Sequence, residues 1–580
     1  MLFRLSLLLI CTFSSIIYAQ TFEWVTTAGG LLSDKGTKIV VDAQGNIFET
    51  GYYNEQGVFG PFNTGFTNPH SKEVYVAKMD PNGNYLWVKH GENYYDDRGL
   101  GLCLDPQGNV YVTGTCWGGI TWGSLSLYNS TSYTDQIFVI KMDTDGNEIW
   151  IKNAGVDYAG YPYSDDHGHD LAADSQGNIY VTGFLSNNEF TDLDATFDAI
   201  IVPVAAQDSV AFLAKLSNDG VWQWVKTFDG IYAERDNGLS VDDDDNVYVT
   251  GGFIETASFG SASLTSDGEE DIYVVKYDSD GNFLWVTQAS SSRGDRGNDI
   301  VYGNDGFMYV TGEFRDSCNF GNDIYLNNYG SGGGRDIFVA KITKNGEWVW
   351  ASKAGSKKGA DKGLGIDANS EGNIFVTGQF SSKAKFDDIE IDTDGDSVNV
   401  FIAAIDSLGV WRWAVQGGGL EFDRGSGIAV DDDCNVYVTG YYENEISFGS
   451  FNGASVTGKE IFTVKVSNAC FDYTSTPPPP PPGVDPSGYA GFHLPNAFSP
   501  NNDSNNEVLQ YYVGYDVVSF ELQIYDRWGN QVFKTQTAGE YWDGYYQGKL
   551  VNSGIYTYIL TVTLTETGQT KTTGNITVIR

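Results

Sequence analysis

The sequence predicts an all-β fold built from seven repeated sheets. A phrase of the form G-N-V-Y-V-T-G occurs seven times at intervals of 61 to 69 residues. The chain has 70 Gly, 36 Tyr, 33 Phe and 14 Trp, a composition typical of strands and turns. Four-stranded antiparallel units repeated radially make a β-propeller. We therefore expect a seven-bladed β-propeller closed by an N-terminal strand, followed by a small C-terminal β-sandwich.

The first twenty residues, MLFRLSLLLICTFSSIIYAQ, predict a secretory signal peptide. They combine Arg4, an apolar run from Leu5 to Ile17 and the small residue Ala19. Cleavage is expected after Ala19 or Gln20. Since no other segment is apolar enough to span a bilayer, we expect an exported protein without a transmembrane segment.

The formal net charge of -42, from 34 basic and 76 acidic residues, disfavours nucleic acid as a partner. Many acidic residues occupy repeated turn positions, where they favour solubility and turn formation. Turns such as Asp143 to Gly146 and the segment from Val241 faintly resemble calcium loops, but they lack the spacing and the terminal Glu of such loops. No cofactor is therefore predicted, and calcium remains the open alternative.

Each repeat predicts four strands. The first strand, such as the one after Asp423, meets the G-N-V-Y-V-T-G strand through a tight D-x-x-G-N turn that predicts a hairpin. A connection of about twenty residues follows, with an aromatic-Gly pair in most copies. The third strand resembles D-I-F-V-A-K, and the fourth is centred on Trp. The six complete repeats have these Trp residues: Trp87, Trp150, Trp224, Trp285, Trp350 and Trp413.

The seventh repeat has no Trp strand of its own. The segment from Thr21 to Thr26 supplies a spare one, centred on Trp24. We therefore expect this segment to complete the seventh blade as its outermost strand, which closes the ring without an open sheet edge.

Five cysteines remain after removal of the signal peptide, so at least one is unpaired. Cys434 replaces Gly in the first hairpin turn of the seventh repeat, and Cys470 follows the third strand of the same repeat. Because these strands run in the same direction, both cysteines should lie on one face. We predict a Cys434–Cys470 disulfide, with two free thiols as the alternative.

The repeated phrases resemble the β-propeller repeats of the NHL type and the related exported SBBP repeats. The resemblance covers Thr21 to about Asn468 and rests on seven concordant copies of the pattern. It implies a propeller. It implies no function, because this family has no single chemistry.

A D-x-G motif precedes each first strand, where the side chains of a propeller could ring one mouth of the central channel. The structural interpretation, ion pairs between neighbouring blades, is favoured because every blade has the motif. The candidate binding residues at this mouth are Asp97, Arg98, His167, Asp236, Asp295, Arg296, Asp423 and Arg424. His167 and Asn237 depart from the pattern.

The segment S-D-D-H-G-H-D of the third repeat could supply metal ligands. They are Asp165, Asp166, His167, His169 and Asp170. No metal is predicted there, because no other His lies nearby in sequence. No catalytic residues could be assigned, since the chain has no recognisable nucleophile, phosphate-binding or zinc-protease motif.

The run Pro477–Pro482 predicts a stiff spacer and a domain boundary. The expected domains are a signal peptide (1–20), a propeller (21–472), a Pro-rich linker (473–489) and a β-sandwich (490–580).

The last segment resembles the gliding-motility-associated C-terminal domain of Bacteroidetes proteins. The resemblance rests on L-P-N-A-F-S-P-N, I-Y-D-R-W-G-N-Q-V-F, W-D-G-Y-Y-Q-G-K and the terminal G-N-I-T-V-I-R. It implies a type B sorting signal for type IX secretion, with Arg527, Trp528 and Gly529 in its hairpin turn. The secretion machinery is then a partner.

These observations together predict a secreted or cell-surface protein that is a monomer. A binding protein is favoured over an enzyme. The expected role is a binding or adhesion platform for a glycan or a surface protein, with a link to gliding. The alternative is an extracellular polysaccharide hydrolase or lyase with its site at the channel mouth.

Overall fold

The computed structural model describes most of the chain. The described residues are 20–30, 32–65, 71–128, 134–156, 165–206, 208–229, 237–330, 334–393, 395, 397–470, 492–494, 497–498, 508–509, 511–513, 517–528, 530–536, 541–546, 549–564 and 568–578. The chain divides into two compact parts, Met1–Cys470 and Phe471–Arg580. The signal peptide and the Pro-rich run lie outside the described residues.

The N-terminal part contains seven repeated units of β-strands. The chain begins with β1 (Thr21–Ala28). Unit 1 has β2 (Lys35–Val41), β3 (Ile47–Asn54), β4 (Val58–Phe59), β5 (Phe62–Asn63), β6 (Lys72–Met79) and β7 (Tyr85–Glu92). Unit 2 has β8 (Asp97–Leu104), β9 (Val110–Trp117), β10 (Gly119–Trp122), β11 (Leu125–Tyr128), β12 (Asp135–Met142) and β13 (Glu148–Val156).

The next two units repeat this order. Unit 3 has β14 (His167–Ala173), β15 (Ile179–Asn187), β16 (Leu193–Phe197), β17 (Ile200–Val204), β18 (Asp208–Leu216) and β19 (Trp222–Asp229). Unit 4 has β20 (Gly238–Val241), β21 (Val247–Phe253), β22 (Thr256–Phe259), β23 (Ala262–Thr265), β24 (Asp271–Tyr277) and β25 (Phe283–Ala289).

Units 5 and 6 keep this order, whereas unit 7 has two long strands that each combine a principal strand with a strand of the hairpin. Unit 5 has β26 (Arg296–Gly303), β27 (Phe307–Phe314), β28 (Ser317–Gly321), β29 (Ile324–Asn327), β30 (Asp336–Thr343) and β31 (Trp348–Ser356). Unit 6 has β32 (Lys362–Ala368), β33 (Ile374–Ser381), β34 (Lys383–Phe386), β35 (Ile389–Asp392), β36 (Val398–Ile405) and β37 (Trp411–Gly417). Unit 7 has β38 (Arg424–Val430), β39 (Val436–Phe448) and β40 (Phe451–Ser467).

Each unit is an antiparallel sheet of four principal strands, and the described residues contain no helix, so the all-β prediction is confirmed. Accordingly, no helix in the described ranges could cross a membrane. In the seventh unit the sheet order is β1-β40-β39-β38, with Trp24 opposite Lys465 and Thr26 opposite Thr463. The predicted pairing of the N-terminal strand with the last repeat is confirmed.

The connection between the second and third strands contains a two-stranded hairpin, which the sequence analysis had treated only as a connection. The hairpin lies beside the outermost strand of the preceding unit: β10 pairs with β7, β16 with β13, β22 with β19 and β34 with β31. The hairpin of unit 1 contacts the segment after β1 through a Gly29–Val58 bridge. The aromatic-Gly pairs form the hairpin turns, and Gly60 and Gly123 adopt positive φ there.

The first strands of successive units contact one another. Strand β2 contacts β8, β8 contacts β14, β14 contacts β20, β20 contacts β26, β26 contacts β32, β32 contacts β38, and β38 contacts β2. The hydrophobic core lies between neighbouring sheets; one cluster, for example, joins Ile39 and Tyr75 of unit 1 to Tyr437 and Ile461 of unit 7. Each sheet therefore buries its faces against its two neighbours.

The fourth-strand Trp residues join each unit to the next. Each Trp donates its indole N–H to a backbone carbonyl beyond the third strand of the following unit. The pairs are Trp24 with Pro81, Trp87 with Thr144, Trp150 with Asn218, Trp224 with Ser279, Trp285 with Lys344, Trp350 with Ser407 and Trp413 with Ala469. The N–O distances are 2.7 to 3.3 Å.

The structure contains the predicted disulfide between Cys434 and Cys470. Cys434 has a φ of 65°, and at the same turn position unit 1 has Gly45, with a φ of 77°. The side chain of Asn369 donates to the Cys470 sulfur at 3.0 Å. Three cysteines, Cys103, Cys116 and Cys318, are free. The bond fixes the end of the last repeat against its first hairpin.

The C-terminal part contains a five-stranded sheet, in the order β42 (Ala497–Phe498), β49 (Gly568–Val578), β48 (Gly554–Leu564), β44 (Val517–Tyr525) and β45 (Gln531–Thr535). The other strands of this part are β41 (Phe492–His493), β43 (Tyr512–Val513), β46 (Tyr545–Tyr546) and β47 (Lys549–Leu550). Trp542 is buried in its core with Phe498 and Tyr556.

Candidate ligand-binding mouth

The Asp of the D-x-G motif is buried and bonded to backbone. Its carboxylate accepts the N–H of the residue twenty positions later, at the end of the second strand. The pairs are Asp34 with Asn54, Asp97 with Trp117, Asp166 with Ser186, Asp295 with Arg315, Asp361 with Ser381 and Asp423 with Glu443, at 2.7 to 3.3 Å. All six side chains are fully buried.

The second carboxylate oxygen of several of these residues binds the chain just before the motif. Asp423 accepts from the N–H of Gly419 at 2.6 Å, and Asp166 accepts from Val156 at the same distance. Burial raises the pKa of Asp166 to about 8 and that of Asp423 to about 7. Asp97, Asp295 and Asp423 therefore hold strands together and do not face a ligand.

The Gly of the motif packs against the preceding unit. A Cβ at Gly36 would lie 2.0 Å from the hydroxyl of Thr439, and one at Gly99 would lie 2.2 Å from that of Thr50. These hydroxyls belong to the Thr of the G-N-V-Y-V-T-G phrase. The motif is therefore a contact between units as well as the start of a strand.

The motif is displaced in unit 4. Gly238 lies opposite Thr250, whereas Gly36 lies opposite Gly51. Asn237 and Gly238 are therefore not equivalent to the other D-x-G residues. Asp236 lies outside the described residues.

The middle residue of the motif carries a positive charge at several units, and most of these charges are paired. Arg296 binds Glu270 at 3.2 Å and is almost fully buried. Lys362 binds Glu313 at 2.9 Å, and Arg98 binds Asp96 at 3.2 Å. In the described part of the chain, Lys35 and Arg424 have no carboxylate partner. Two cations of the motif are therefore left without an ion pair among the described residues.

His167 lies in a cluster with Asp165, which the sequence predicted as a possible ligand, and with Asp135, which it did not. Its Nε2 is 2.9 Å from Asp165 and 3.9 Å from Asp135. Although burial opposes it, hydrogen bonding and charge from the two carboxylates raise the pKa of His167 to about 9. The ligand atoms of the three side chains lie within 4.8 Å of one another and could hold a divalent metal. Protonated His167 satisfies the same carboxylates as an ion pair.

The other residues of the S-D-D-H-G-H-D segment separate. Asp166 binds backbone as described above, and His169 packs edge-on against Phe184. Asp170, on the first strand of unit 3, binds Lys38 on the first strand of unit 1 at 3.1 Å. The proposed five-ligand set is therefore not brought together.

Lys38, Asp170 and Asp299 form an ion cluster that sequence analysis missed. The Lys38 ammonium lies 3.6 Å from Asp299 as well, so the cluster joins units 1, 3 and 5. Each of these three residues is paired with the Thr of the G-N-V-Y-V-T-G phrase in the neighbouring strand. In the other units the residue paired with this Thr is Gly: Gly101, Gly238, Gly365 and Gly427. A charged residue at a position otherwise occupied by Gly was the signal available in the sequence.

The acidic turns that resembled calcium loops are hairpin turns. The carboxylate of Asp242 accepts the N–H of Asp244 at 3.0 Å and of Asn246 at 2.9 Å. The ammonium of Lys344 contacts Asp243 and lies 3.2 Å from Asp244. The ammonium of Lys276 lies 3.3 Å from Asp242, so two ammonium groups face the acidic residues of this turn.

The predicted sorting residues lie in a tight turn between β44 and β45. Asp526 accepts the N–H of Trp528 at 2.9 Å and of Asn530 at 2.8 Å. The guanidinium of Arg527 lies over the Trp528 ring at 4.3 Å, and Trp528 is 68% exposed. Gly529 lies outside the described residues. The turn therefore presents a cation and an aromatic ring to solvent.

Two family models match the chain. The type IX secretion signal domain matches residues 492–578, and a β-propeller repeat matches residues 155–184. The protein thus carries a C-terminal type IX secretion signal domain and an SBBP β-propeller repeat. It is secreted or located at the cell surface.

One curated protein shows a distant similarity to this chain. An uncharacterised WD repeat-containing protein of Acanthamoeba polyphaga mimivirus is 22% identical, over 76% of this chain and 33% of its own length. The chain thus spans about a third of this relative.

Among solved structures, a puromycin hydrolase mutant has 8% identity and a TM-score of 0.36, covering 83% of this chain and 60% of its own. The extracellular domain of a putative one-component system of B. thetaiotaomicron has 12% identity and a TM-score of 0.17, covering 94% and 80%. Neither similarity is close enough to bear on fold or activity.

Proposed function

We propose that the protein is a ligand-binding protein exported by type IX secretion, and that its seven units form a closed seven-bladed β-propeller. The first-strand contacts return from β38 to β2, and the Trp hydrogen bonds run through all seven units. Strand β1 supplies the outermost strand of the last blade. The proposed domains are a signal peptide (1–20), the propeller (21–472), a linker (473–489) and a β-sandwich sorting domain (490–580).

The ligand site in this proposal is the channel mouth at the start of the first strands. The observation that carries it is the pair Lys35 and Arg424, two cations without a carboxylate partner among the described residues of a chain with a net charge of -42. Exposed apolar side chains lie in the loops leading to this end: Tyr94 is 77% and Leu420 is 74% exposed. A cleft with apolar walls and a few directed charges is typical of ligand sites.

Adhesion at the cell surface, with a link to gliding, is the biological role that fits such a protein. The Lys38–Asp170–Asp299 cluster joins units 1, 3 and 5 partway along their first strands, so a ligand bound at the mouth would not pass this point.

The alternative is an extracellular polysaccharide hydrolase or lyase. One observation favours it: Asp135, Asp165 and His167 form a cluster of acids and imidazole that breaks the repeat. The electrostatics count against it, because a pKa of about 9 makes His167 a poor general base near neutral pH. We therefore favour binding without catalysis.

The test is a glycan and surface-protein binding screen of the secreted protein and of a Tyr94→Ala/Arg424→Gln variant. We expect at least one ligand whose binding the variant loses, while Lys383→Gln, on the β34 hairpin of unit 6, retains it. Failure to find any ligand that depends on the mouth would contradict the proposal. Release of shortened or unsaturated saccharides by the wild type, lost in His167→Asn, would favour the enzyme.

A further inference from the structure

Lys35, Arg98 and Arg424 come from three consecutive units and lie at one sector of the mouth. They begin β2, β8 and β38, whose strands contact one another across the junction between units 7, 1 and 2. Lys72 and Lys459, at the third strands of units 1 and 7, add two more positive charges. We refer to these five residues as the cationic sector.

The geometry points to a carboxylated saccharide as the ligand of the cationic sector, with a uronic acid carboxylate bound by Lys35 and Arg424. This inference rests on the proposed function, because it assumes that the mouth is the ligand site.

The five positive charges of the cationic sector have only two carboxylate partners among the described residues. Asp96 neutralises Lys72 and Arg98, and Glu443 binds Lys459 at 3.1 Å. The carboxyl of Asp34 is fully buried and occupied by backbone N–H groups. Lys35 and Arg424 are left for a ligand.

The surroundings of Lys35 agree with a role in binding an anion. Its ammonium lies 4.5 Å from the centre of the Tyr441 ring, and the Lys459 ammonium lies at the same distance from that ring. Burial, together with the charges of Lys459, Arg424, Arg98 and Lys72, lowers the pKa of Lys35 to about 8. A bound anion would relieve this repulsion and keep Lys35 protonated.

Aromatic side chains flank the cationic sector. Tyr95 is 43% exposed and stacks on Trp117, with ring centroids 5.0 Å apart and planes 26° apart. Tyr94, beside it, is 77% exposed. On the other side, Phe422 stacks on Tyr441, and Lys459 lies 5.3 Å above the Phe422 ring. A sugar ring can place its C–H face on Tyr94 or Tyr95 while its carboxylate reaches the cations.

The overall charge restricts the class of anion. A net charge of -42 repels a densely charged polymer such as a nucleic acid or a heavily sulfated chain. Screening at physiological salt, over about 8 Å, leaves short-range contacts effective. A saccharide with one carboxylate per sugar or fewer can pair with Lys35 and Arg424 without bringing many negative charges close to the rest of the surface.

The test measures binding of three short uronic oligosaccharides, of galacturonate, glucuronate and mannuronate type, and of their neutral methyl esters, by the full mature protein. We expect at least one acid to bind and its ester to bind at least tenfold more weakly. Lys35→Gln and Arg424→Gln should each weaken binding of the acid at least tenfold, whereas Lys383→Gln should not. Thermal melting of each variant checks that it is folded.

Equal binding of acid and ester, or an acid whose binding is unchanged in both mouth variants, would overturn the inference. So would failure of all three acids to bind. If a neutral glycan or an acidic peptide binds instead and depends on Tyr94 or Arg424, the proposed function stands and the uronate inference is wrong. If no ligand depends on the mouth, both are wrong.

Discussion

The hydroxyl of Thr463 donates a hydrogen bond to the buried carboxylate of Glu49, at 2.5 Å, across the junction between units 7 and 1. Tyr75 donates to the other carboxylate oxygen at 2.5 Å. At the position of Glu49 the other units have Val: Val112, Val181, Val249, Val310, Val376 and Val438. At the position of Thr463 they have Val76, Val139, Leu213, Val274, Val339 and Ile402. A buried polar pair therefore occurs only where the chain ends meet.

Replacing Glu49 by Val should destabilise the N-terminal part. The hydroxyls of Thr463 and Tyr75 would be left in a buried interface without their acceptor, at a cost of about 1–3 kcal/mol. The triple variant Glu49→Val/Tyr75→Phe/Thr463→Val, which restores the apolar pattern of the other junctions, should recover most of the loss. Urea denaturation midpoints provide the measurement. A single variant as stable as the wild type would show that the pair contributes nothing.

Strand β1 should contribute strongly to stability, because its removal exposes the edge of β40 and breaks the Trp24–Pro81 hydrogen bond. We expect deletion of residues 21–28 to lower the melting temperature markedly and to promote aggregation. Trp24→Phe alone should cost about 1 kcal/mol. Trp285→Phe, which removes the same bond between units 4 and 5, is the matched control. An unchanged melting curve after the deletion would contradict closure by β1.

Most of the strands could be predicted because their signals are local. Alternating apolar residues recur in every unit, D-x-x-G-N turns occur in units 1 to 4 with variants of the pattern in units 5 to 7, and the spare Trp24 identified the closing strand. The short hairpins were missed because their strands span only a few residues. In units 3 and 6 the turn signal also differs, since Asp198 and Asp387 take the positive φ that Gly adopts elsewhere.

The mouth was less predictable because its contacts join residues distant in sequence. The D-x-G motif was expected to place Asp at the channel mouth or in an ion pair with a neighbouring blade, whereas the carboxylate binds backbone N–H groups, one of them twenty residues later in the chain. Because the first strand of unit 4 is shorter, Asn237 was aligned with the wrong position of the D-x-G motif. Asp135 could not be associated with His167, nor Lys38 with Asp299, from sequence spacing alone.

Loss of the disulfide should destabilise the last unit. Cys434 and Cys470 are 36 residues apart, and closing a loop of that size is worth about 3–4 kcal/mol in the chain-entropy model. Cys434→Ser/Cys470→Ser should lose this amount. Cys434→Gly/Cys470→Ser should lose about 1 kcal/mol less, because Gly suits the positive φ of this turn. Equal midpoints for the two double variants would reject the turn argument.

Removal of residues 484–580 should stop export at the periplasm and leave the N-terminal part folded, because the type IX secretion signal domain lies in the deleted segment. Cell fractionation and circular dichroism are the measurements. Fusion of residues 484–580 to a periplasmic reporter is the complementary control and should cause its release. Normal release of the truncated protein would contradict the sorting role.

His167 should make stability depend on pH. Its pKa in the folded state, about 9, lies above the ordinary value of 6.5 because Asp165 and Asp135 stabilise the charged imidazolium. The stabilisation is therefore fully present below pH 6.5 and is lost as the pH rises through 9. Its size corresponds to about 2–3 kcal/mol.

His167→Asn should make the fall in stability between pH 6.5 and 9 shallower, the remaining fall including that of buried Asp166, whose pKa is about 8. His90→Asn, at a histidine with no carboxylate partner among the described residues, should leave the profile unchanged. Denaturant midpoints at pH 6, 7.5 and 9 test this. If the midpoints of the wild type and of His167→Asn fall equally over this range, the ion pair is absent.

Adding zinc chloride at pH 7.5 distinguishes an ion pair from a metal site. A zinc-induced rise in melting temperature that disappears in His167→Asn would mean that Asp135, Asp165 and His167 hold a metal, contrary to the sequence-based prediction. We expect no such rise, because a proton already satisfies the two carboxylates through the imidazole.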